Sequence, residues 1–63
     1  MANKIIDVLN FLAPVSYIST EEDGVIDAYQ WVNKHGNVMV ETVNMERLQD
    51  GTAVITVKEP IYD

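Results

Sequence analysis

Apolar residues recur along this chain with two different periods. In N-K-I-I-D-V-L-N-F-L-A-P, residues 3 to 14, Ile5, Val8, Leu9 and Leu12 fall at i, i+3, i+4 and i+7, and Ile6 widens the stripe. That spacing gives a helix one apolar face. It predicts a first helix from about Asn3 to Leu12, ended by Pro14, which biases Ala13 away from helical geometry. In the next run, V-S-Y-I-S, Val15 and Tyr17 alternate with Ser16, and Ile18 gives the opposite face an apolar member. This run suits a short strand.

The stretch S-T-E-E-D-G-V-I-D-A-Y-Q, residues 19 to 30, carries two competing patterns. Laid over a calcium-binding EF-hand loop, it puts Glu21 and Asp23 at ligand positions, Gly24 at the sharp turn and Asp27 at a further ligand position. The first and last positions decide against calcium. They require carboxylates that carry most of the charge compensation, and here they hold Ser19 and Gln30.

A helix explains more of the residues. Thr20 becomes the N-cap, with Glu21, Glu22 and Asp23 in the first turn, where acids complement the helix dipole. Val25, Ala28, Tyr29 and Val32 supply the apolar stripe, Lys34 and His35 the last turn, and Gly36 the left-handed C-terminal position. A second helix is therefore expected over roughly Glu21 to His35. Gly24 inside it costs about 1 kcal/mol relative to alanine. The rival arrangement makes Asp23-Gly24 a turn and residues 25–34 a strand.

Period two returns after Gly36. Residues 38–43 and Thr52 to Lys58 are both β-prone, and Asp50-Gly51 supplies turn chemistry between them. The intervening N-M-E-R-L-Q-D-G is long for a tight turn and suggests one helical turn capped by Asn44. In the last strand Ala53, Ile55 and Val57 share one face, which implies a sheet with one buried side. Pro60 cannot donate to a ladder and should end that strand. The expected fold is a small single α+β domain over residues 1–63. Its order is α-β-α-β-β, with a three-stranded sheet and both helices on one face. The alternative is one helix with a four-stranded antiparallel sheet.

Composition narrows the function. The chain has 63 residues, a formal charge of −6 and no cysteine. Its length allows only a thin stability margin, and the missing thiols remove disulfide and thiolate metal chemistry. Ten acids against four Lys and Arg argue against direct nucleic-acid binding, where phosphate neutralisation supplies most of the affinity. A basic protein partner suits this balance better. With no membrane-length apolar run and no leader-like pattern, a cytoplasmic location is expected.

Catalytic, cofactor-binding and metal-binding residues are all expected to be absent. His35 reads as an ordinary cation at a helix C-terminus, and no serine sits in a nucleophile elbow. Binding residues are easier to nominate. Trp31 and Phe11 lie off the two helical stripes, at the core rim or exposed as anchors. Glu21, Glu22 and Asp27 would present negative charge, while Met39, Val43 and Val54 would form an apolar patch on the sheet face away from the helices. Short acidic chains without cysteine are common among bacteriophage and mobile-element products that block a host enzyme. The leading expectation is therefore a protein-binding inhibitor or modulator that docks on a basic surface or nucleic-acid-binding groove of a host protein. The alternative is a homodimeric structural or regulatory subunit using an open sheet face or edge.

Overall fold

Two short helices and five strands form over residues 2–12 and 14–62, the part of the chain that the computed structural model describes. In chain order they are β1 (Ala2–Lys4), α1 (Ile5–Phe11), β2 (Tyr17–Thr20), β3 (Gly24–Asp27), α2 (Ala28–His35), β4 (Met39–Arg47) and β5 (Ala53–Val57). The strands lie side by side as β1-β4-β5-β2-β3. Every neighbouring pair is antiparallel except β2 and β5, which run parallel with Ile18 beside Ile55.

The helix α1 keeps the predicted stripe. Ile5 and Val8 are buried, and Leu9 and Leu12 pack against the core. Its N-terminus is set from a distance: the Ile5 N–H donates to the Val38 carbonyl at 2.9 Å, and the Ile6 N–H to Asn37 Oδ1 at 3.0 Å. These partners satisfy two of the donors that a helix start leaves free. Residues 2–4 instead extend as a strand against Met39–Glu41. The expected influence of Pro14 on Ala13 lies outside the described residues.

The largest departure from expectation is in residues 19–30. Thr20 does not cap a helix: its Oγ1 accepts from the Asp23 N–H at 3.1 Å and closes a turn between β2 and β3. Gly24, at φ 70°, occupies the left-handed region that a side chain disfavours. The chain reverses there, and Val25 joins a strand. The helix α2 starts only at Ala28, capped by Asp27, whose Oδ1 accepts from Tyr29 N–H at 2.9 Å and Gln30 N–H at 3.4 Å. The rival turn was thus correct about Asp23-Gly24, whereas the strand after it is four residues long and the helix resumes beyond it. The order is β-α-β-β-α-β-β in place of α-β-α-β-β, and the sheet has five strands in place of three.

The β4–β5 hairpin forms as expected, but β4 runs on through Asn44 to Arg47 without the helical turn. The turn follows at Leu48–Thr52, where Asp50 Oδ1 accepts from the Thr52 N–H at 2.9 Å. β5 ends at Val57 ahead of Pro60, and the chain beyond it bonds β4 through Lys58 N–H to the Glu41 carbonyl and Ile61 N–H to the Met39 carbonyl.

Both helices cover the same sheet face. Ile5 and Val8 from α1 meet Ala28 and Trp31 from α2 over Ile18, Val40, Ile55 and Val57. Trp31 corrects the expectation of a rim or exposed anchor, because it is 0% exposed. With Val25 outside the helix, the buried face turns towards Ala28, Trp31 and Val32, and Tyr29 is left 77% exposed.

Asp27→Ala should therefore lower stability by about 1 kcal/mol, the usual cost of an N-cap, read as a shift of the urea midpoint at constant slope. An unchanged midpoint would remove Asp27 from that role. Trp31→Ala should cost about 3–5 kcal/mol, enough to abolish cooperative melting in a chain this small.

Candidate functional site

Asp23 is the centre of the most connected group of polar side chains. It sits in the β2–β3 turn, and α2 brings its C-terminal residues Lys34 and His35 back to it. Lys34 Nζ pairs with Asp23 Oδ1, and His35 Nε2 donates to Asp23 Oδ2 at 2.8 Å. The Lys34 and His35 hydrogen bonds hold the Asp23 carboxyl below its ordinary 3.8, against the opposing effect of partial burial. Asp23 in turn raises Lys34 above its ordinary 10.5.

An ionised Asp23 accepts only, so the neutral imidazole carries its proton on Nε2. His35 Nδ1 is then free to accept from the Tyr62 hydroxyl, 2.9 Å away. Hydroxyl, imidazole and carboxylate follow one another in the order of a nucleophile, its base and the group orienting that base. The immediate effect is structural. Tyr62 ties the C-terminal segment to α2, and the His35 ring lies over Trp31 with centroids 4.3 Å apart. The Trp31 indole N–H finds no acceptor among the described residues, a cost of about 1–3 kcal/mol that apolar burial must offset.

A second feature adjoins this one. The Glu22 N–H donates to Glu59 Oε1 at 3.0 Å, across 37 positions of sequence, and thereby gathers Glu21, Glu22 and Glu59 at one corner. None of the three is in an ion pair among the described residues, and Glu21 and Glu22 are exposed. Asp27 lies at the other end of β3, engaged as the α2 cap. The EF-hand candidates are accordingly dispersed into a turn, an ion pair and a cap.

The sheet candidates separate as well. Met39 and Val54 alternate with the buried Val40 and Ile55 and so face away from the helices. Val43 is the extra residue of a bulge, since Thr42 pairs with Val57 and Asn44 with Thr56. Phe11 is 88% exposed, in agreement with its off-stripe position. The sequence reading missed the roles of Asp23, Lys34, His35 and Tyr62 as one group. One signal was available: Ala28, Trp31, Val32 and His35 also stand at i, i+3, i+4 and i+7.

The group has a definite pH signature. Folding lowers the Asp23 pKa, so the stability it contributes is complete above 3.8 and is lost as pH falls through the lower folded value. Folding raises that of Lys34, whose contribution is complete below 10.5 and is lost as pH rises past it. Asp23→Asn preserves the turn chemistry, because Asn-Gly is as good a turn pair as Asp-Gly, and removes the charge. It should flatten the stability profile on both flanks. An acid flank as steep as in the parent would show that other carboxylates control it.

Comparison of the chain with known protein families, with curated proteins and with solved structures finds no match.

Proposed function

We propose that the protein is an acidic protein-binding module of the inhibitor or modulator kind, which docks on a basic surface, such as a nucleic-acid-binding groove, of a host protein. The corner at the β2–β3 turn supports this reading most directly. Glu21, Glu22 and Glu59 gather there outside any ion pair among the described residues, while Lys34 is paired with Asp23 and feels Glu22 only through its field. Concentrated, excess negative charge on a fixed turn accelerates association with an opposite surface. Trp31 is buried, so the aromatic available near this corner is Tyr62, 65% exposed and linked to the turn through His35 and Asp23.

A homodimeric structural or regulatory subunit is the second reading. Tyr17 and Val54 are neighbours in register on the helix-free face, and Val25 shares that face through its pairing with Ser19. Val25 is 61% exposed and Tyr17 40%. A monomeric mass throughout the working concentration range would remove this reading.

The primary test is capture from bacterial lysate with the parent protein and with the Glu21→Lys, Glu22→Lys double variant as baits. A stoichiometric basic protein should bind the parent and be released by salt. Its association with the double variant should be slower by about tenfold or more at low salt, with little change in dissociation. Equal association rates for the two baits would reject the acidic corner as the docking surface.

A further inference from the structure

The two sides of β4 are paired over different stretches. β5 pairs with residues from Thr42 to Arg47, whereas β1 pairs only with Met39, Val40 and Glu41. Among the described residues, no strand lies against Val43 to Arg47 on the β1 side. Such an edge is a row of main-chain donors and acceptors able to take up another strand. Its five residues are about the length of an average strand.

A cleft of about 520 Å³ opens next to this edge, lined by Asn3, Asp7, Val8, Phe11, Leu12 and Thr42. Its position follows from register. Asn3 pairs with the buried Val40 and Thr42 with the buried Val57, so both belong to the helix-covered face, and α1 forms the opposite wall. Met45, in register with Ile55 on the same face, is 38% exposed where α1 no longer covers the sheet. An apolar cleft between a helix and a strand therefore leads onto an open strand edge.

Charge selects the occupant. Glu46, in register with Val54, and Lys4, in register with Met39, lie on the other face, and Arg47, in register with the buried Ala53, shares the helix-covered face at the far end of the open stretch, away from the residues that line the cleft. Asp7 is thus the charged group that lines the cleft, and it has no ion-pair partner among the described residues. A second copy of the chain would bring another −6 to the contact. The geometry points to a β-augmentation site for an extended, basic segment of a partner protein. The segment pairs with Val43 to Arg47 beyond the end of β1, buries an apolar side chain beside Val8, Phe11 and Leu12, and sets a lysine or arginine against Asp7. Main-chain pairing supplies affinity in this mode, and the cleft selects alternate side chains. The inference rests on the protein-binding reading above and names a mode of contact distinct from the acidic corner.

The probe is a ten-residue peptide of alternating lysine and valine, titrated into the full chain with amide shifts and hydrogen exchange as readouts. Shifts should centre on Val43 to Arg47, Phe11 and Leu12, with slowed exchange of β4 amides. A fully N-methylated peptide, which keeps the side chains and cannot pair, should bind at least about tenfold more weakly. Phe11→Ser and Asp7→Asn, both at exposed positions, should each weaken binding by about fivefold or more without altering the melting temperature, and the Glu21→Lys, Glu22→Lys variant should retain groove binding. Equal affinity for the N-methylated peptide, indifference to the Phe11 and Asp7 substitutions, or no binding overturns the site. Shifts confined to Glu21, Glu22 and Glu59 also overturn it while leaving the acidic-corner function intact. Groove binding together with failed lysate capture has the converse meaning: the groove stands and the host-protein reading falls.

Discussion

Burial of the Trp31 indole is the constraint that the two helices and the sheet share. The described core has nine buried apolar residues, of which Trp31 is the largest, and no disulfide reinforces it. A chain this small has little apolar area with which to offset ordering entropy. One large ring placed centrally therefore matters more than in a bigger domain. It has to be enclosed by side chains that themselves need partners. His35 lies over the ring, Asp23 and Tyr62 occupy the two imidazole nitrogens, and Lys34 balances Asp23. The polar group at the β2–β3 turn thus serves as one wall of the core.

That coupling explains which parts of the fold could be read from the sequence. The α1 stripe, the edge position of Phe11, the β4–β5 hairpin and the break at Pro60 follow from residues close in sequence, where periodicity and turn chemistry act directly. The second helix does not. Two apolar stripes exist between residues 25 and 35, one through Val25 and Tyr29 and one through Trp31 and His35. Hydrophobicity alone favours the first. The second wins because Asp23 and Tyr62, 12 and 27 positions away from it in sequence, satisfy His35 and allow it to be nearly buried. Partners so remote leave no local periodic trace. Ile5 and Ile6 are similar: their N–H groups are satisfied by Val38 and Asn37, so a helix start without a local cap was moved two residues from its expected place.

The candidate sites divide along the same line. Glu21 and Glu22 were recognisable as exposed acids, yet their meeting with Glu59 depends on the parallel pairing of β2 with β5, which places the end of β5 beside the β2–β3 turn. Trp31 looked accessible only while the stripe ran through Tyr29. The open edge of β4 was hidden for another reason. Residues 44–51 resembled a loop, and the three-residue β1 that covers only the start of β4 resembled the first turn of a helix.

The division of charge at the turn links stability to function. Four acids lie within or beside one short hairpin turn, and leaving all of them unpaired would oppose the reversal that β2 and β3 require. Lys34 neutralises the one whose side chain is nearly buried, Asp23, where an isolated charge is most costly, and His35 adds a hydrogen bond to it. The three left exposed are screened by water and salt and disturb folding little. They remain available to an opposite surface at a position fixed by the Asp23 network. Substitutions at Asp23 or His35 should therefore be felt first in the core around Trp31 and only through it in binding, whereas changes at Glu21 or Glu22 alter the field of the turn without disturbing the structure that holds it.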